Sequence, residues 1–311
     1  MISRIESASS VFFKNDKFRL VQLSFLMLFV ELTLIRWTGS NVYYLFAFAN
    51  YVLLASFLGI GIGFLRAKSS TNYFNYSPIF LAIFIYFCYR YNYNYHAVVD
   101  KDTDNLNYYS QLFKENIFPV WVTLPIVFLS VTALMAAIAD GVARSFQTFL
   151  PLQAYRLEIL GSLLGVISFS ILSLMSASPV WWGIVISVLY ISLLMNQWRS
   201  VNPLISILQI LSLIAMVATF TKETMTSEHY WSPYYKIEVQ EYAGKRYVVN
   251  VNGLAQQVIE SVEQRRKVKP FYFLPYQHTT QPTELNNVLI IGAGTGGDVA
   301  IALAQGAKHI D

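Results

Sequence analysis

The stretch Ile159–Trp198 reads ILGSLLGVISFSILSLMSASPVWWGIVISVLYISLLMNQW and carries no charged side chain. It is about 40 residues long, twice the ~20 apolar residues that one bilayer-crossing helix requires. Its middle, Ser176-Ala177-Ser178-Pro179, is where a helix is predicted to stop, because proline cannot continue a helix begun before it. The stretch therefore predicts two apolar helices joined by a tight turn.

Similar runs lie on both sides. Leu20–Trp37 is apolar except for Glu31 and Arg36, and Val42–Leu65 and Ile117–Ala139 are uncharged. Pro78–Tyr89 is shorter and becomes polar and tyrosine-rich through Tyr95, and Pro203–Thr221 closes the series. About seven spans are expected, and with them a multi-pass α-helical membrane domain whose first partner is the lipid bilayer. A secretory signal is not expected, since the first apolar run begins late and many follow it.

Composition draws the same boundary. The chain is 55% apolar and only 13% charged, with mean hydropathy +0.44, against roughly a quarter charged in soluble domains. Residues 1–221 hold 13 Lys+Arg and 9 Asp+Glu, while residues 222–311 hold 9 of each in less than half the length. The expected division is a membrane domain over 1–221, a small β-hairpin unit over 222–284, and the start of a nucleotide-binding domain over 285–311. The net charge of +4 forms no basic run or face, so nucleic acid is not an expected partner. Cys88 is the only cysteine, which excludes an intrachain disulfide and argues against a cysteine metal site; no metal is expected.

Trp37, Tyr43, Tyr44, Trp121, Trp181, Trp182 and Trp198 fall near span ends, where amphipathic rings favour the membrane interface. Gly59, Gly61 and Gly63 share one span and Gly161 and Gly165 another, which predicts close helix packing. The lysines and arginines between spans favour a cytoplasmic N-terminus. Seven crossings would then place the C-terminal region outside, whereas a cytoplasmic metabolite as ligand places it inside. A cytoplasmic soluble region is the expectation adopted.

Glu31, Arg36 and Glu158 are the charged residues expected in or at the edge of the membrane. An unpaired charge at the bilayer centre costs at least about 2.5–3.5 kcal/mol. Five residues between Glu31 and Arg36 is not a same-face helical spacing. Interhelical ion pairing that fixes packing is preferred over an ion path, because two deep acidic residues make a poor relay.

After Thr221 the pattern changes. Tyr234–Ala243 reads as a strand, and Arg246–Val251 as a second with Tyr247, Val249 and Val251 on one face. Asn252-Gly253 is a two-residue hairpin signal, followed by a third strand over Leu254–Glu260. A short helix is expected within Ser261–Phe273. Val288–Ile291 then reads as a buried parallel strand, followed by Gly292, Gly294, Gly296 and Gly297 and a helix over Val299–Ala304. Strand, glycine turn and helix form the context in which backbone N–H groups can cradle a nucleotide. Gly292, Gly294 and Gly297 also match the dinucleotide pattern G-x-G-x-x-G formally, although the spacing fits an S-adenosylmethionine loop better.

Taken together, these elements resemble the bacterial membrane-anchored spermidine synthase-like (polyamine aminopropyltransferase-like) family. Ser232-Pro-Tyr-Tyr-Lys-Ile237 is similar to the start of that family's β-hairpin unit, Asn252-Gly-Leu-Ala-Gln256 to its second element, and Val288–Asp298 to its glycine motif. Glu31–Arg36 and Tyr155–Gly161 resemble its membrane part. The resemblance implies a class I S-adenosylmethionine-type Rossmann domain behind the membrane domain. It also implies decarboxylated S-adenosylmethionine or S-adenosylmethionine as co-substrate, held by Gly292, Gly294 and Gly296 and, less firmly, Gln256, Tyr235 and Asp298.

Two departures qualify what is implied. Gln257–Arg266 lacks the family's acidic pattern for cationic polyamines, which leaves putrescine doubtful and the acceptor a small amine or other small molecule. The residue that would hold the ribose and the catalytic acid are expected beyond Asp311, so the chain reads as an inactive fragment of a longer protein. Oligomerisation is possible. The alternatives carried forward are an S-adenosylmethionine-dependent methyltransferase, a nicotinamide-dependent oxidoreductase, and a transporter or scaffold with a regulatory nucleotide-binding region.

Overall fold

The computed structural model describes residues 16–42, 45, 48, 50–91, 120–195, 198, 202–226, 229–242, 246–278 and 285–311. The chain divides into two compact units. Among the described residues the first holds seven α-helices: α1 (Asp16–Asn41), α2 (Tyr51–Leu65), α3 (Ser77–Tyr91), α4 (Val120–Phe146), α5 (Pro151–Leu174), α6 (Pro179–Leu194) and α7 (Pro203–Thr226). Trp231–Tyr235 belongs to it as well. Four of these helices, α1, α4, α5 and α7, are long and apolar enough to cross a membrane, and α2 and α6 are shorter apolar helices.

The break foreseen inside Ile159–Trp198 is built as the sequence suggested. Ser176 adopts φ 55° and the Ala177 N–H donates back to the Leu172 carbonyl (2.9 Å), ending α5. Pro179 then opens α6 at a position where its missing N–H is not needed.

Helix α1 is the hub of the first unit. It buries 14 of its 26 residues and meets α2, α3, α4, α5 and α6 directly. Its Trp37 ring packs edge-on against Phe220 of α7. Two glycine seams bring backbones together. Any side chain at Gly59 or Gly63 of α2 would strike α4, a Cβ on Gly63 lying 2.6 Å from the Ala136 carbonyl. Gly161 and Gly165 of α5 meet Val21, Ser24 and Phe25 of α1 in the same way. Gly61, between the first pair in sequence, faces open space. Two of the residues expected at the lipid interface have a different role. Trp37 and Trp182 are fully buried, because each is drawn into the core by polar or aromatic partners, whereas Trp121 and Trp181 are exposed. Tyr43 and Tyr44 lie outside the described residues.

The second unit begins with a four-stranded sheet in the order β1 (His229–Trp231), β2 (Lys236–Tyr242), β3 (Arg246–Val251), β4 (Leu254–Ile259). Strand β1 crosses the boundary between the units. The β2–β3 and β3–β4 pairs are antiparallel. Asn252 (φ 51°) and Gly253 (φ 79°) make the two-residue turn, both in the left-handed region that hairpin turns of this type need. The buried residues of β3 are Val248 and Asn250, on the face opposite Tyr247, Val249 and Val251.

Helices α8 (Val262–Val268) and α9 (Leu274–Gln277) follow, flanking a 3-10 turn at Pro270–Phe273. Ser261 caps α8 by accepting from the Gln264 N–H. The unit closes with β5 (Asn287–Val288), α10 (Gly297–Ala304) and β6 (His309–Ile310), with β5 and β6 parallel. The apolar run Val288–Ile291 is thus only partly strand. Leu289 and Ile291 are exposed, because a two-stranded sheet offers them nothing to pack against.

Candidate functional site

In the second unit a glycine loop joins β5 to α10. Gly292 (φ 78°), Gly294 (φ 56°) and Gly296 (φ 80°) all take left-handed conformations, which side-chain-bearing residues adopt at a cost of about 1–3 kcal/mol. The turn is closed by Gly296 N–H donating to the Ala293 carbonyl (2.8 Å). Gly297 then starts α10, whose first-turn N–H groups have no intrahelical partner and suit a negatively polarised ligand. Asp298 lies in that first turn.

The sheet reaches this loop through Gln257. Its Oε1 accepts from the Thr295 N–H (2.7 Å), and a side chain at Gly294 would strike its carboxamide. Gln256, the expected nucleoside contact, has a different position. Val249 pairs with Gln257 and Asn250 with Ala255, so Gln256 is the extra residue of a β-bulge. A bulge re-aims the side chains around it.

The start of α10 is supported by residues that sequence reasoning passed over. Arg265 abuts Gly297, where any added side chain would strike its guanidinium. It is held by Glu260 (Nε to Oε1, 3.2 Å) and by the Val258 carbonyl (2.6 Å), with Tyr272 below its plane. The Glu260 carboxylate is fully buried and also pairs with Arg246 (3.4 Å). Burial pushes the Tyr276 phenol up, and the charge of Asp298 adds to it, which places the two within electrostatic reach. Among the described residues no three His, Cys, Asp or Glu side chains gather as a metal site.

Tyr235 falls in the first unit, half exposed, with its ring beside Tyr234. The Ser232-Pro-Tyr-Tyr motif forms a tight turn in which Ser232 Oγ accepts from the Tyr235 N–H (2.9 Å). The Ser232 carbonyl accepts from Arg36.

The three charged residues expected in or at the edge of the membrane are held in three different ways. Arg36 is fully engaged at its terminal nitrogens, donating to Ser173 Oγ and the Ser232 carbonyl, with the Trp182 and Trp231 rings 5.1 and 5.4 Å from its central carbon. Glu158 is half-buried and accepts from Ser162 Oγ (2.9 Å) one turn on. Glu31 is 3% exposed, and no described residue gives its carboxylate an ion pair or hydrogen bond. The interhelical ion pair expected for Glu31 is therefore not formed among the described residues, because Arg36 turns to serines and tryptophans instead.

Ser24 and Thr38, seven residues before and after Glu31, are also buried with unpartnered hydroxyls among the described residues. Heptad spacing drifts by only ~20° per step. The three thus form one polar line about 21 Å long on α1, at 1.5 Å of rise per residue.

Two more buried carboxylates sit at helix ends that the sequence reading placed outside the spans. Asp140 accepts from Arg144 (3.1 Å) and from the Tyr73 N–H (2.9 Å), tying down the connection after α2. Glu223 accepts from the Trp37 indole (2.6 Å).

Comparison with known proteins leaves the geometry to speak alone: no family model, no curated protein and no solved structure matches the chain.

Proposed function

We propose that this chain is a membrane-embedded protein whose second unit binds the nucleoside and amino-acid parts of an S-adenosylmethionine-type molecule, in the manner of a spermidine synthase-like transferase. The observation that carries this is the β5–glycine turn–α10–β6 unit, with three left-handed glycines ahead of a helix N-terminus and the parallel strand returning beside the first. In this reading Gly292, Gly294 and Gly296 let the ligand approach the backbone, α10 offers its first N–H groups, and Gln257 and Asp298 flank the ligand. The full reaction would be attack of an amine on the aminopropyl carbon next to the sulfonium. The C–S bond breaks to leave a neutral thioether, and a base takes the amine proton. No residue of this chain is assigned that base.

The membrane part of the proposal takes all seven helices as embedded, with the second unit on the cytoplasmic side. Carbonate-resistant association of the full chain with membranes and the activity of a C-terminal reporter test these two points. Ligand identity is tested by calorimetric titration with S-adenosylmethionine, its decarboxylated form and NAD. The expected result is micromolar binding of one sulfonium ligand and its loss in Gly294→Ala. Binding of NAD alone would replace the reading with a dinucleotide site, and binding of none would remove it.

A further inference from the structure

Of the glycines in the loop, Gly292, Gly294 and Gly296 serve its left-handed backbone. Gly297 does not. It is the first residue of α10 and helical, a setting in which alanine is the better helix former. What its missing side chain provides is room for Arg265. A Cβ at Gly297 would lie 3.0 Å from the Arg265 Cζ, with Nη1 nearer still.

Two of the three guanidinium nitrogens orient the group. Nε donates to Glu260 Oε1 (3.2 Å) and Nη2 to the Val258 carbonyl (2.6 Å). The third, Nη1, has no hydrogen-bond partner among the described residues, and it is the nitrogen beside the start of α10. The side chain keeps 13% of its surface exposed, and Nη1 is not sealed from solvent. Gln257 repeats the pattern from β4. Its Oε1 is taken by the Thr295 N–H, while its Nε2 lies beside Gly294 with no partner among the described residues. The loop is thus lined by open donors: Nη1, Nε2 and the first-turn N–H groups of α10. A cluster of donors that includes a guanidinium favours an anionic oxygen acceptor.

We propose that Arg265 Nη1 binds the carboxylate of S-adenosylmethionine, so that this chain takes the carboxylated ligand in preference to its decarboxylated form. The inference rests on the reading that the loop binds an S-adenosylmethionine-type molecule, and it chooses between that reading's two ligands. Both carry the nucleoside, the sulfonium and the ammonium. Contacts to those groups, including any made by the Asp298 carboxylate, do not separate them. The carboxylate alone does. Where it is missing, Nη1 keeps its donors and receives no acceptor. Because Glu260, the Val258 carbonyl and the Tyr272 ring already hold the guanidinium, little side-chain freedom is lost on binding.

The test titrates the full chain in mild detergent, by calorimetry, with three ligands. They are S-adenosylmethionine, its decarboxylated form, and methylthioadenosine, which has no amino-acid part. S-adenosylmethionine should bind about tenfold more tightly than the decarboxylated form, the scale of one hydrogen bond between charged groups. Arg265→Gln should erase that preference. So, independently, should Gly297→Ala, whose new methyl group displaces the guanidinium. Methylthioadenosine should still bind both variants. A parent that binds the decarboxylated form equally well or better overturns the proposal and leaves the S-adenosylmethionine-type reading standing. A preference that survives both variants also overturns it. Loss of methylthioadenosine from both variants would make Arg265 a support of the loop rather than a ligand contact, and overturns it too. Binding of neither sulfonium ligand to the parent refutes the underlying reading and the proposal with it.

Discussion

The helical unit and the sheet unit are specified by different physics. In the first, α1 touches every other helix, and glycine seams let backbones meet where any side chain would collide. In the second, the described residues hold a small buried apolar cluster of Val248, Ala255 and Val258. Its order comes from ladder hydrogen bonds, the Asn252-Gly253 turn and the fully buried Glu260 between two arginines. Added volume should therefore damage the first unit most, and a lost polar partner the second.

The largest effect is expected at the α2–α4 seam. Gly63→Leu should cost about 3 kcal/mol through overpacking against backbone that cannot retreat. Gly61→Leu should be neutral or stabilising by up to ~1 kcal/mol, since leucine is the better helix former and the space is open. Thermal unfolding in detergent measures both, and equal melting of the two variants would break the contrast. Next is Glu260→Ala, which removes the carboxylate that Arg246 and Arg265 share. About 2 kcal/mol is expected, below the range for fully buried pairs because both arginines keep some solvent contact. Hydrogen exchange of residues 246–268 should accelerate while the helices of the first unit stay protected.

A smaller change of opposite sign sharpens the comparison from within the first unit. Glu31→Leu removes a buried carboxylate that has no partner among the described residues and should stabilise by about 1–2 kcal/mol. A lower melting temperature would mean that Glu31 has a partner outside the described residues.

The smallest effect concerns α8. Ser261→Ala should cost about 0.5–1 kcal/mol of local stability by removing its cap. The carboxyl of Glu263 is held below its ordinary range by its own backbone N–H and then by Ser261. Its contribution is present above the unfolded carboxylate value and disappears as pH falls through the lower folded value. The pH dependence of α8 exchange should flatten on the acid side in the Ser261 variant.

Much of this was legible in the sequence. Uncharged runs located the helices, Ser176–Pro179 located a break, and Asn252-Gly253 located a turn, because each depends on neighbours along the chain. What depended on distant partners was not. The bulge that sets Gln257 rather than Gln256 against the glycine loop is fixed by pairing with β3. Trp37 and Trp182 read as interfacial rings, but their surroundings come from α5, α7 and Trp231 at the end of β1. The sequence does not single out Asp140 or Glu223, since the Tyr73 N–H and the Trp37 indole that they accept from lie 67 and 186 residues away. The loop itself was found because glycines must be local to a turn.

The seam between α2 and α4 also sets an order of events during synthesis. At 15 residues, α2 is shorter than the ~20 needed to cross a bilayer unaided. The surface that receives Gly59 and Gly63, Thr132 to Asp140, is complete only about 75 residues after α2 ends, which at 5–20 residues per second takes ~4–15 s. During that interval α2 has α1 to meet but lacks its larger α4 face, and the glycines and phenylalanines of that face are open to whatever holds nascent segments. A ribosome pause between Leu65 and Val120 would lengthen the wait, and a chain released before α4 emerges should be the species that quality control removes.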